Sequence, residues 1–201
     1  MNNTKKVGRP RKFDQDDALM AAVNVFWAKG YDGASMKDLT EAMGINGPSL
    51  YSTFGDKKDL YLQAIDRYSS NDACAPLVAF ESEPDITRAV RAFMNAAIEY
   101  ATQHESGARG CFLSSCVATT AGEVAGVDDL LADAIQDTDE RLAKRFELEK
   151  SEGALPSDFP SLERARLMFD LRQGFVFRAR AGLDAKVMKS ELDQRVRMVL
   201  A

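Results

Sequence analysis

The sequence predicts an all-α chain with a small N-terminal head of short helices and a larger helical body. Three observations predict it. Apolar residues recur at spacings of three and four along most of the 201 residues. No run alternates polar and apolar residues as a half-buried strand would. Glycines end the early apolar runs, and Asp, Ser or Asn residues stand where helices would begin. Hydrophobic residues make up 45% of the chain and charged residues 28%, enough for a core beneath a charged surface.

The elements follow in order. Residues 1–12 carry Lys5, Lys6, Arg9, Arg11 and Lys12 ahead of the first acidic residue, Asp14. They offer too little apolar surface to fold, so a disordered basic arm is expected. Asp14 caps the first helix, and Asp17 favours the positive end of its dipole. Leu19, Ala22, Val23 and Phe26 form the buried face, and Gly30 ends the helix. Ser35 and Asp38 open the second helix as a capping box, and Met36, Leu39 and Met43 are its apolar stripe. Gly44 breaks it. Asn46 caps a short third helix, which tolerates Pro48 in its first turn because the missing N–H would be unpaired there. Leu50 and Phe54 anchor that helix inward, and Gly55 stops it. Asp56 and Asp59 bracket the start of a fourth helix with Leu60, Ala64, Ile65 and Tyr68. Longer helices are expected near 85–104, 110–120, 128–151, 161–182 and 185–200. The expected domains are the arm over 1–12, the head over 13–70 and the body over 71–201.

Composition narrows the function. No apolar run approaches the ~18 residues that span a bilayer. No apolar segment follows the basic N-terminus as in a secretory signal. Three cysteines without paired spacing argue against a disulfide scaffold and for a reducing cytoplasm. His104 is the single histidine, so no His-rich metal site is expected. No Ser-His-Asp set or phosphate-binding glycine loop is present, so neither catalysis nor a cofactor is expected. The net charge of −5 opposes nucleic-acid binding only globally. Attraction to phosphates is local, screened beyond ~8 Å, and the positive charge is concentrated in the arm.

Two short helices joined at a tight Gly turn and supported by a first helix have helix-turn-helix geometry. The outward side of the third helix carries Asn46, Gly47, Pro48, Ser49, Ser52 and Thr53. These are small residues, suited to close approach in a DNA major groove. Arg9 and Arg11, extended by Pro10, suit a narrow minor groove. The segments "ALMAAVNVFWAKGYDGA" and "SMKDLTEAMGINGPSLYSTFGDKKDL" together resemble the DNA-binding head of the tetracycline-repressor (TetR) family of transcriptional regulators. The resemblance covers about Asp14 to Tyr68. It implies that Tyr51, Lys57 and Ser35 contact phosphates.

The body resembles the family in helix number and size. The resemblance implies a homodimer in which the last two helices pair with their copies, placing Phe175, Arg178, Met188, Leu192, Val196 and Val199 at the interface. Packing of these residues within one subunit is the alternative. Phe93, Tyr100, Phe112, Phe169 and Phe175 are candidate linings of an effector pocket, with plain core packing the alternative. Arg172 offers charge for an acidic ligand group or for an ion pair. Cys111 follows Arg109 near a helix start, two features that favour thiol reactivity; Cys116 lies five residues on. Both can equally be small core residues. Cys74 has no such context.

The expected function is a dimeric, DNA-binding repressor released from a palindromic operator by a small molecule. A thiol-based regulator using Cys111 is one alternative, and a constitutive architectural DNA-binding protein is another.

Overall fold

The computed structural model describes residues 13–70, 74–102 and 110–201. Arg9, Arg11, His104 and Arg109 lie outside the described residues, as does the whole 1–12 arm. Among the described residues there is no strand. The chain divides into two compact units, with the boundary between Arg67 and Tyr68. No described helix is long and apolar enough to cross a membrane.

The first unit holds α1 (Gln15–Gly33), α2 (Met36–Met43), α3 (Gly47–Phe54) and most of α4 (Lys57–Ser69). Asp14 caps α1 by accepting from the N–H groups of Asp16 and Asp17 at 2.8 and 3.3 Å. The buried face of α1 is Ala18, Ala22, Val23 and Phe26, and Leu19 is only half-buried. Helical pairing continues past Gly30 to Gly33, although the backbone kinks at Gly30. Phe26 and Tyr61 pack edge to face at 4.8 Å, joining α1 to α4. Arg67 on α4 grips both carboxylate oxygens of Asp16, at 2.7 Å for Nη2.

The second unit holds α5 (Ala75–Ser82), α6 (Ile86–Thr102), α7 (Phe112–Ser115), a 3-10 turn (Val117–Thr119), α8 (Val127–Ser151), α9 (Ser161–Arg180), α10 (Ala185–Lys189) and α11 (Leu192–Leu200). Helix α6 packs against α5, α9, α10 and α11, and α8 packs on α9. Phe80, Phe93 and Phe146 form an edge-to-face core. Arg145 on α8 donates to the carbonyls of Glu81, Glu83 and Pro84, at and just beyond the end of α5.

Three expectations change here. The sequence predicted no helix between Asn71 and residue 85, yet α5 lies there, burying Pro76, Leu77 and Phe80. The helix expected over 110–120 is a single α turn followed by a 3-10 turn, because the backbone leaves the helical region at Cys116. The helix expected over 185–200 is two, interrupted at Ser190 and Glu191.

Candidate nucleic-acid interface and body cavity

In the head, local chemistry fixes both ends of the turn. Ser35 and Asp38 make the full capping box: Asp38 N–H donates to Ser35 Oγ at 3.1 Å, and Ser35 N–H donates to Asp38 Oδ2 at 3.0 Å. Lys29 binds the other carboxylate oxygen at 2.7 Å. Lys29 first, and Ser35 second, hold the Asp38 carboxyl well below the usual carboxylate range. The α2 C-terminus closes at Gly44, whose φ of 65° is left-handed, and Ile45 N–H returns to Thr40 O at 3.1 Å. The Thr40 hydroxyl turns back within its own helix, to Met36 O and Lys37 O at 3.0 Å each.

Asn46 caps α3 by accepting from Ser49 N–H at 2.9 Å, so its oxygen is occupied in the free protein. Leu50 and Phe54 are buried, as the inward anchors of the helix must be. Tyr51 is 56% exposed, and Ser52 and Pro48 are exposed. Gly47, Ser49 and Thr53 are half-buried. The Ser52 hydroxyl donates to Ser49 O at 3.1 Å. The Ser35 hydroxyl is engaged with Asp38 at 2.7 Å. Lys57 Nζ lies 4.7 Å from the centre of the Tyr31 ring and 3.4 Å from Asp32 O. Sequence reasoning missed Gln63, whose amide donates to Phe54 O at 2.8 Å and Asp59 O at 3.0 Å, tying the end of α3 to α4. Nothing in its spacing signals that role.

The body contains a cavity of about 260 Å³. Of the candidate pocket residues Phe93, Tyr100, Cys111, Phe112, Cys116, Phe169, Arg172 and Phe175, Tyr100 and Arg172 line it. Phe93, Phe112 and Phe175 are buried in the core, Phe169 is half-buried, and Cys116 is buried. Cys111 is fully buried and touches Arg172, with Sγ 3.7 Å from Nη2. Cys74, which the sequence left without a role, lies on the cavity wall with its Sγ 3.9 Å from the same nitrogen. Tyr68 was placed in the head by its spacing, yet it also lines the cavity. Its hydroxyl lies 3.4 Å from that of Tyr100 and 3.8 Å from Cys111 Sγ. Burial pushes both phenols up, so they stay protonated at neutral pH. Burial opposes the charge of Arg172, but the surrounding thiols and phenols more than offset it, and the guanidinium stays charged. None of the three cysteines forms a disulfide. Among the described residues no group of three or more His, Cys, Asp or Glu side chains could hold a metal.

The residues expected at a dimer interface lie mostly inside the subunit. Phe175, Met188, Leu192, Val196 and Val199 are buried where α9, α10 and α11 pack on α6 and α11 packs on α9, while Arg178 is exposed. The apolar groups left outside on α9, α10 and α11 are Leu162, Phe177, Val187 and Met198.

A family model described as bacterial regulatory proteins, tetR family, matches residues 18–64. The chain is 29% identical over 181 residues to the HTH-type transcriptional repressor ComR of Escherichia coli K12, covering 89% of this chain and 85% of that one. The regulator CifR, in a cysteine-mutant structure with a 26-base-pair operator duplex, aligns with a TM-score of 0.81 at 28% identity. That alignment covers 94% of this chain and 98% of CifR. A proposed TetR regulator from Rhodococcus sp. RHA1 is 30% identical, with coverage of 93% and 99% and a TM-score of 0.54.

Proposed function

The chain belongs to the TetR family of DNA-binding transcriptional regulators, and from that premise we propose that it is a cytoplasmic, dimeric repressor released from a palindromic operator by a small molecule. On this reading it regulates transcription and catalyses nothing. One observation carries the release step. Helix α4 contributes Leu60 and Tyr61 to the core of the head and, eight residues on, Tyr68 and Ser69 to the wall of the cavity. A ligand that moves the last turn of α4 therefore acts on an element the head is built on. The coupling is linkage: the effector binds better to the conformation whose head spacing misfits the operator. A difference of ~1–3 kcal/mol changes operator affinity about 5- to 150-fold.

In this proposal α3 enters the major groove with Gly47, Pro48, Ser49, Ser52 and Thr53 toward the bases. Tyr51, Lys57 and the start of α2 at Ser35 position it on phosphates, and Arg9 and Arg11 enter the minor groove. Asn46 holds α3 in shape while its amide N–H groups remain available to DNA.

The contact of Cys111 with a buried guanidinium favours a second reading, in which the thiol itself is the sensor. Cys111→Ser with a full response to oxidants and electrophiles eliminates it. A mobility shift on DNA upstream of the chain's own gene, repeated with candidate ligands and thiol reagents, tests the whole scheme. A specific complex that a ligand dissolves is the expected result. A complex indifferent to DNA sequence and to every ligand contradicts it and fits an architectural binder.

A further inference from the structure

Arg172 is only 6% exposed, and among the described residues no carboxylate pairs with it. The half-buried Arg67, Arg141, Arg145 and Arg195 each pair with an Asp or Glu, and half-buried Arg164 donates to the carbonyls of Met198 and Ala201. Removing a guanidinium from water without a carboxylate beside it is costly, and the polar contacts it makes among the described residues are to the sulfurs of Cys74 and Cys111. The charge stands on the wall of a cavity, not within solid core. The same wall carries the apolar Ala75, Leu77, Leu113 and Ala134, and its polar part includes Thr138 and one carboxylate, Asp137.

We propose that this cavity binds a small organic monocarboxylate, its carboxylate seated on the Arg172 guanidinium and its short hydrocarbon body against Leu77 and Leu113. The planar fork of Arg172 matches a carboxylate in two-point contact. The Tyr68 and Tyr100 hydroxyls stand on the same wall, 3.4 Å apart, and a bound carboxylate would take a hydrogen bond from them in exchange for a present partner. The volume of about 260 Å³ suits a compact acid. One guanidinium neutralises one negative charge. Arg141, at the same cavity, is already held by Glu81 in a two-point pair, so a doubly charged phosphate would leave one charge unmatched.

The proposal rests on the reading of the body as the sensor, and the test separates the two. Calorimetric titration and thermal shift of the full chain use butanoate, pentanoate and benzoate, the amides of the same acids, and inorganic phosphate. The carboxylates are expected to bind roughly 10-fold or more tightly than their amides. Tyr100→Phe keeps the ring and is expected to weaken carboxylate binding several-fold. Arg172→Lys keeps the charge, loses the fork and is expected to weaken it roughly 10-fold. Acid and amide binding equally, phosphate matching the acids, or no acid binding at all overturns the ligand class. The DNA complex is then titrated with the same compounds. Acids that bind but leave the complex intact uphold the site and sink the effector reading. Amides that release DNA where acids do not uphold the sensor and sink the carboxylate.

Discussion

The phosphate contacts proposed for Tyr51 and Lys57 are compatible with how each side chain sits in the fold. Tyr51 is exposed on a helix whose neighbours Leu50 and Phe54 are buried, so its ring contributes little to the fold. Lys57 rests over the Tyr31 ring, a contact it can leave for a phosphate. Replacing Lys57 with Ala is expected to weaken binding to all duplexes alike and to reduce the salt slope by roughly 1. Anisotropy titrations across a salt series check this, and an unchanged slope removes Lys57 from the phosphate contacts. In the body, Arg141 holds the Glu81 carboxyl below its ordinary value of 4.5. A carboxyl depressed in the folded state stabilises above its unfolded pKa, and that contribution is lost as pH falls through the folded value. Glu81→Gln is therefore expected to lower the melting temperature at neutral pH. The difference from the parent shrinks as the pH drops below 4.5, as a thermal-melt series would record. A constant difference across that range contradicts the pairing.

At the level of elements, two glycines make different demands. Gly44 has a φ of 65°, with open space where a Cβ would stand, so Gly44→Ala costs only left-handed strain, about 1 kcal/mol. At Gly55, φ is 83° and a Cβ would fall 2.8 Å from Asp59 Cβ, against the carboxylate that caps α4. Gly55→Ala is expected to destabilise clearly more than Gly44→Ala in denaturant titrations, and the reverse order refutes this account of the α3–α4 corner. Such local chemistry made the head legible in sequence: Asp14, Ser35 with Asp38, Asn46 and Asp56 with Asp59 cap within three residues of themselves. The body has fewer such marks. Helix α5 is apolar nearly throughout and starts beside Pro76, so it has no period to read. Met188, Leu192, Val196 and Val199 keep helical spacing across the break at Ser190, which hid the division into α10 and α11. The Arg172 cluster was least legible. Cys74 and Cys111 lie 98 and 61 residues from it in sequence, and only the packing of α9 brings them together.

For the whole molecule, the proposed pairing follows from head size: a short helix-turn-helix head that reads one half-site gains from two-fold symmetry. The surface available to a partner on α9, α10 and α11 is apolar at Phe177, 76% exposed, with Val187 and Met198 about half exposed. Phe177→Glu is expected to yield a monomer by light scattering at micromolar concentration, with much weaker DNA binding. A variant that stays dimeric locates the interface elsewhere. The central claim is that this chain reads a symmetric DNA site as a pair of heads. Selection from a random-sequence duplex library at physiological salt tests it most directly. The account predicts enrichment of an inverted repeat with two half-sites at fixed spacing. Recovery of no motif, or of one unpaired half-site, would contradict it.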